Sequence, residues 1–445
     1  MKPIPEAPGG LPLLGHAPSW FRDPLTFLES LPDHDLVGLR FGTRKVILIR
    51  DPELTRQALV DDRIFDRADW MDRLRDAVGD GLVVCPYSRH RRDRRLVQPA
   101  FHPSRLAGYA RTMTNQAAAV TQSWHHGLEF DATTEMVGLT MRSLLQAMFS
   151  AALSPQAMHQ TTADLHTFSK GSIPLTLLPT VLTRLPLPGL RRHRQASLRG
   201  RETARSILAE RRASGTDHGD LLSALMSARI PGQDGDAQGL TDEQIVDQLI
   251  SFYGAGTDTT ACLLAWALYL LAQHPDIEAR IYTEVDTVLA GAPAGLEHLP
   301  QLPLTGHVLT EVLRMYPPGW ILPPRTATAD THLGSYPIPA GTDLLLSPYL
   351  IHRRSDLYEE PTRFDPDRWD NALRTSPPRR AFIPHGAGAR KCIAEQFSMV
   401  NAAIALATIV SRWRLTPDPA WRFRHRMALT SSPRGLRMRV TTRSA

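Results

Sequence analysis

The sequence predicts a mainly α protein with a small β-rich part. Three observations carry that prediction. One long, largely apolar helix spans Thr241 to Gln273 and stops at His274-Pro275, because proline cannot continue the hydrogen-bond ladder. From Asp51 to about Arg229 the pattern is helical with loop breaks, whereas strand-like alternation is confined to short segments. The composition, 42% hydrophobic and 22% charged over 445 residues, is that of a globular chain able to bury a large core. No repeat or low-complexity linker divides it. Residues 1–445 therefore read as a single domain behind a Pro/Gly-rich lead of roughly 20 residues.

In chain order, Val37 to Ile49 forms a hairpin around Gly42. Helices occupy most of the next two hundred residues, with Pro/Gly punctuation at 173–189 and 231–239. After the long helix, a second runs from Asp276 to Ala290, and a third from Leu304 to Tyr316, stopped by Pro317-Pro318. Arg325 to Leu346 reads as short strands with a turn at Pro339-Ala340-Gly341. A last helix begins near Cys392 and runs to about Trp413, and the tail alternates like strands.

Several classes are excluded. Three cysteines, Cys85, Cys262 and Cys392, make no disulfide framework and fit a reducing cytosol; no zinc spacing accompanies them. The net charge of +6 is almost all arginine, with four lysines among 51 basic residues. No basic stripe with interleaved aromatics is present, so an acidic protein partner is expected rather than nucleic acid. The N-terminus has no apolar signal-like region, so neither secretion nor a membrane anchor is expected. Leu249 to Ala272 is long enough to span a bilayer, but Asp258 near its middle would cost about 2.5–3.5 kcal/mol there, so a buried core helix is predicted.

Four motifs carry chemistry. Pro384 to Glu395 is a Gly-rich loop delivering Cys392 to the start of an apolar helix, where backbone N–H groups and the helix dipole favour a thiolate. A buried structural cysteine is the plainer alternative. Arg390, two residues earlier, is placed to meet an anionic group. Ala255-Gly256-Thr257-Asp258-Thr259-Thr260 sets a carboxylate beside hydroxyls within an apolar helix, which suits proton relay or, more plainly, a kink with back-bonded threonines. Glu311 and Arg314 share a helix face, and Arg368 is placed to complete a three-way charge cluster. The same spacing at Glu53–Arg56, Glu202–Arg205 and Glu360–Arg363 reads as surface pairing. His90 and Arg94, one turn apart, present either to a carboxylate or to solvent.

In this order and spacing, these residues resemble the cytochrome P-450 superfamily, and the resemblance covers essentially the whole chain. It implies that family's triangular-prism fold, with haem b as cofactor and Cys392 as the iron ligand. It implies propionate contacts from His90, Arg94, Arg325 and Arg390, Ala255 against the haem, Asp258 and Thr259 as the proton-relaying pair, and Glu311, Arg314 and Arg368 as the buried triad. Two positions depart from the pattern. His385 stands where the family has phenylalanine, and Ala394 where it has glycine.

Within the family the chain is similar to soluble bacterial enzymes that oxidise cyclic sesquiterpenes, on the strength of Gly10–His16, Leu185–Pro188, Glu210–Gly215 and the spacing of Cys392, Phe397, Ser398 and Met399. That implies a cytoplasmic monooxygenase of terpenoid antibiotic biosynthesis. It would take O2 and electrons from a ferredoxin and its reductase, and act once or by successive oxidations. Trp70, Met71, Leu82, Phe252, Trp320, Ile321 and Leu322 are the expected apolar pocket, under a lid at Ile173–Pro179; core packing is the alternative for each. A fatty-acid or macrolide hydroxylase, a peroxide-driven enzyme and a non-catalytic haem sensor remain as other readings.

Overall fold

The structure is a computed structural model and describes residues 3–75, 79–150, 160–161, 163–164, 167, 188–231, 237–372 and 381–443. The expected lid at 173–179 lies outside these residues. The main helices are α1 (Pro52–Val60), α2 (Tyr87–Val97), α3 (Pro103–Ser123), α4 (Ala132–Phe149), α5 (Pro188–Ser214), α6 (Asp242–Gln273), α7 (Pro275–Leu289), α8 (Pro303–Met315) and α9 (Glu395–Arg412).

Several start where the sequence supplies a start signal. Asp51 and Asp131 cap α1 and α4 by accepting from the amides of Leu54 and Thr134. Proline occupies the first turn of α7 and α8, where no amide donor is needed. For α6, Thr241 accepts from the Gln244 amide while the Gln244 side chain accepts from the Thr241 amide, a reciprocal capping box.

α6 runs through the main core and packs on α4, α5, α8 and α9. It is long and apolar enough to cross a membrane, but 67% of its most apolar window is buried inside the molecule. Gly256 serves this packing. A Cβ there would come within 3.0 Å of Leu144 on α4, so the bare glycine face meets a neighbouring helix.

The β part has two main pieces. A five-stranded sheet has the order β1 (Leu36–Phe41), β2 (Arg44–Ile49), β6 (Asp343–Leu346), β5 (Arg325–Ala327), β3 (Phe65–Arg67). Only the β2–β6 pair is parallel. A three-stranded sheet joins β7 (Trp413–Pro417), β10 (Arg437–Thr442) and β4 (Glu129–Asp131). Between β7 and β10 lies the hairpin β8 (His425–Met427) and β9 (Ser431–Pro433). A second hydrophobic cluster, with Trp20, Phe27, Leu48, Leu345 and Trp320, backs the five-stranded sheet. The N-terminal lead is tied to β1, with the Ala7 amide donating to Gly38 and the His16 amide to Arg40.

One expectation needs correction. The last helix begins at Glu395, three residues past Cys392, with Ala394 as its cap. Cys392 therefore meets the helix through the amides of the intervening turn. Trp320 and Phe252, both expected at the pocket, are buried beside other aromatic rings. Trp320 packs against Trp20 at 5.5 Å between ring centres, and Phe252 lies edge-on to Phe101 at 5.1 Å.

Candidate active site

The loop bearing Cys392 is held from below by buried charge. Glu311 and Arg314 on α8 are both fully buried. All five N–H groups of Arg314 are used: two on Glu311 (2.9 and 2.7 Å) and three on the carbonyls of His352, Pro361 and Arg363. Glu311 also accepts from the Asp365 amide and from Trp369 Nε1, and Arg368 Nε lies 3.5 Å away. Full use of donors and acceptors offsets the cost of burying these charges.

His352 carries the cluster on to the loop. Burial, then the nearby Arg314, pushes its pKa down to about 3, so the imidazole is neutral. The Ile383 amide donates to Nε2 at 3.0 Å, which leaves Nδ1–H to donate to the Arg314 carbonyl. Ile383 immediately precedes the loop of Pro384 to Cys392.

Gly388 has φ of +71°, and a Cβ there would lie 2.5 Å from the Leu59 carbonyl oxygen, so only glycine lets the loop cross α1. The Cys392 amide donates to the His385 carbonyl at 2.9 Å. Cys85 and Cys262 are buried, whereas Cys392 is exposed. Desolvation nevertheless pushes its thiol up; the Ala394 amide, hydrogen-bonded to the sulfur, pulls the other way. Ala394 has φ of −100°, an ordinary conformation for an L residue, and it keeps the amide that a glycine would supply. His385 is half-buried, and desolvation lowers its pKa, so its ring is neutral.

On α6, Ala255 is exposed midway along an otherwise packed helix. Thr259 Oγ1 donates to the Ala255 carbonyl at 2.7 Å. Its proton is thereby committed, and its remaining role is to accept. Asp258 Oδ2 accepts from Thr430 Oγ1 at 2.6 Å.

A nest of cations completes the site. Arg390 donates to the Cys85 carbonyl (2.8 Å) and to Asp66 (2.6 Å), with Asp62 3.6 Å from its Nε. Among the described residues, Arg325 reaches only the Phe65 carbonyl, at 3.5 Å. Sequence reasoning missed Arg67, which pairs directly with Arg325 across β3 and β5. Like charges placed opposite are destabilising. Burial, then Arg325 and Arg390, lowers Arg67 well below the usual guanidinium range, and burial, then Arg390, brings Arg325 to about 10. His90, buried beside them, is pushed down to about 3 by desolvation, then by Arg390 and Arg67. The Nε atoms of Arg67, Arg325 and Arg390 and Nδ1 of His90 are buried without hydrogen-bond partners. Arg94 is placed differently: it donates to the Lys391 carbonyl at 2.7 Å, next to Cys392.

Three guanidiniums against two carboxylates leave one cation in surplus, and with unused buried donors they suit an anionic ligand. One accessible thiol on an amide-lined loop fits a metal with a single protein ligand, and among the described residues no cluster of three His, Cys, Asp or Glu could hold an ion. Together these residues fit an iron macrocycle bearing two carboxylates. Of the expected pocket, Met71, Leu82 and Leu322 are buried and Ile321 half-buried; the Trp70 side chain lies outside the described residues.

The family model for Cytochrome P450 matches residues 5–437. The chain is 41% identical over 441 residues to a pentalenene oxygenase of Streptomyces avermitilis, covering 98% of this chain and 97% of that one. It is 40% identical to a cyclooctat-9-en-7-ol 5-monooxygenase of Streptomyces melanosporofaciens, covering 93% and 90%. It is also 40% identical to a cyclooctatin synthase of the same organism, covering 96% and 94%.

Proposed function

Because the chain belongs to the cytochrome P450 family, we propose that it is a haem-thiolate monooxygenase that hydroxylates a cyclic terpene in bacterial terpenoid biosynthesis. The observation that carries the haem assignment is the pairing of an accessible Cys392 with a buried, under-neutralised cation nest. The substrate class rests on the relatives, whose names denote oxidation of pentalenene and of cyclooctat-9-en-7-ol. Haem b, electrons from a ferredoxin and its reductase, a cytoplasmic location and a sesquiterpene within the terpene class belong to the same proposal.

Bound haem supplies activation of O2 for insertion into an unactivated C–H bond, with the thiolate donating electron density. The protein's part follows from its residues. Cys392 would hold the metal, with its sulfur steadied by the Ala394 amide. Arg67, Arg325, Arg390 and His90 would take the two carboxylates. Arg94 braces the Cys392 loop through Lys391. Asp258 holds and passes a proton, and Thr259, its own hydrogen committed to Ala255, accepts a hydrogen bond from the reacting group. Met71, Leu82 and Leu322 exclude water from one side of the pocket.

The test begins with protein expressed under haem supply. The reduced CO complex should show the long-wavelength band, and Cys392→Ala should abolish it; an unchanged band in the variant refutes the ligand assignment. A Soret-shift screen of cyclic terpenes, fatty acids and macrolides then reads the substrate class. A fatty acid or macrolide giving the largest shift and a product overturns the terpene assignment. Turnover on peroxide alone, without NAD(P)H and ferredoxin, overturns the electron source.

A further inference from the structure

The reaction above leaves one buried thiol on α6 without a role. Cys262 lies one turn beyond Asp258, and its thiol donates to Thr430 Oγ1 at 3.5 Å. Thr430 Oγ1 in turn donates to Asp258 Oδ2 at 2.6 Å. Burial, reinforced by Asp258, pushes the Cys262 thiol far up, so the sulfur keeps its hydrogen. A hydroxyl has one hydrogen to give. Thr430 gives it to the carboxylate and receives the thiol hydrogen on a lone pair. The chain therefore has one direction, S–H to O–H to carboxylate.

Thr430 does not belong to α6. It sits in the turn joining β8 and β9, and that turn is pinned on several sides. Trp320 Nε1 donates to the Ala428 carbonyl (3.0 Å), the Ser431 amide to Pro318 (3.0 Å), and Trp266 Nε1 to the Ser431 carbonyl (3.2 Å). The hydroxyl thus reaches Asp258 from a fixed point outside the helix. Such a tie has a purpose here. Neighbouring positions on a helix point about 100° apart, so Asp258 does not share the direction of Thr259. A short, charge-assisted bond to an external anchor sets where the carboxylate aims.

We propose that Thr430, oriented by Cys262, is a positioning residue that aims the Asp258 carboxylate for proton transfer. Its consequence for turnover rests on the monooxygenase reading, whereas the hydrogen bond itself does not. Two measurements on the ferric and turning-over holoenzyme separate these. Infrared difference spectra of wild type minus Asp258→Asn isolate the Asp258 carboxylate stretch. Thr430→Val should shift that band and Thr430→Ser should restore it, with Thr430→Ala replacing valine if the latter does not fold. Cys262→Ala should shift it less. In substrate-free oxygen consumption with a surrogate ferredoxin and reductase, the ratio of hydrogen peroxide to water formed should rise about threefold or more in Thr430→Val. Thr430→Ser should return it to the wild-type value. An unmoved carboxylate band in Thr430→Val, or a Thr430→Ser variant matching Thr430→Val in both measurements, overturns the proposal. A wild type that consumes no oxygen while the band shifts as expected overturns only the turnover consequence and the enzyme reading beneath it.

Discussion

The two buried charge clusters of this molecule use their hydrogen bonds in opposite ways. Around Glu311, every N–H of Arg314 finds a protein acceptor, and both carboxylate oxygens are shared with Trp369, Arg368 and the Asp365 amide. Around Arg67, Arg325 and Arg390, guanidinium atoms are buried without partners, and two of the three arginines face each other across a strand pair. The first cluster is closed and its charges serve the fold. The second is open, with buried donors left unused. Unused donors, more than buried charge as such, distinguish a binding site from a structural one.

That contrast can be broken by removing one member from each side. Glu311→Ala leaves Arg314 buried and unpaired and should cost about 3–5 kcal/mol of stability, with or without haem. Chemical unfolding of both forms would show it, and a loss confined to the haem-loaded form would erase the distinction. Arg325→Met should act the other way. The haem-free protein should be as stable as wild type or more so, because one repelling cation is gone, while haem dissociation quickens by roughly 10–100-fold, the worth of one or two charge-assisted bonds. Haem transfer to an acceptor globin and thermal unfolding measure the two halves.

Acid sharpens the comparison further. His90 and His352 both have pKa values pushed down to about 3, from an ordinary 6.5. Between these values the unfolded chain binds more protons than the folded one, so stability falls as pH drops from about 6.5 towards 3. A carboxylate beside His90 raises its folded pKa and shrinks that loss, whereas His352 is remote from any ligand. The haem-free form should therefore lose roughly 1–2 kcal/mol more than the loaded form between pH 6.5 and 4. His90→Gln should remove the difference. The smallest effect belongs to the exposed pairs that share the Glu311 spacing. Glu360 and Arg363 are 63% and 61% exposed, and Glu360→Ala should change stability by no more than about 0.5 kcal/mol in either form.

The comparison also shows what was legible in the sequence. Local signals survived into three dimensions: the Thr241 cap and Pro275 bound α6 within a residue, and the proline pair after α8 ended it as expected. Glu311 stood out from three other pairs of identical spacing only through its apolar helix. Arg67 was invisible because its meaning depends on register with Arg325, more than 250 positions away along the chain. The ring partners of Phe252 and Trp320 could not be read, because an aromatic side chain in an apolar stretch does not declare which neighbour it faces. Asp258 and Thr259 were named from a motif, but that the acid is held by Thr430 follows from a turn in the C-terminal tail.

The five-stranded sheet has a last consequence, for the ribosome. β2 pairs with β6 in parallel, Val46 against Asp343, so its inner neighbour is made almost three hundred residues later. At roughly 5–20 residues per second, that is a wait of about 15–60 s with a strand edge unpaired. The waiting edge reads Arg44-Lys45 before Val46-Ile47-Leu48-Ile49, and two adjacent cations at its entrance discourage a neighbouring nascent chain from pairing there first. Arg44 later binds Asp343, so a residue that guards the edge during synthesis becomes a clasp once the proper partner arrives.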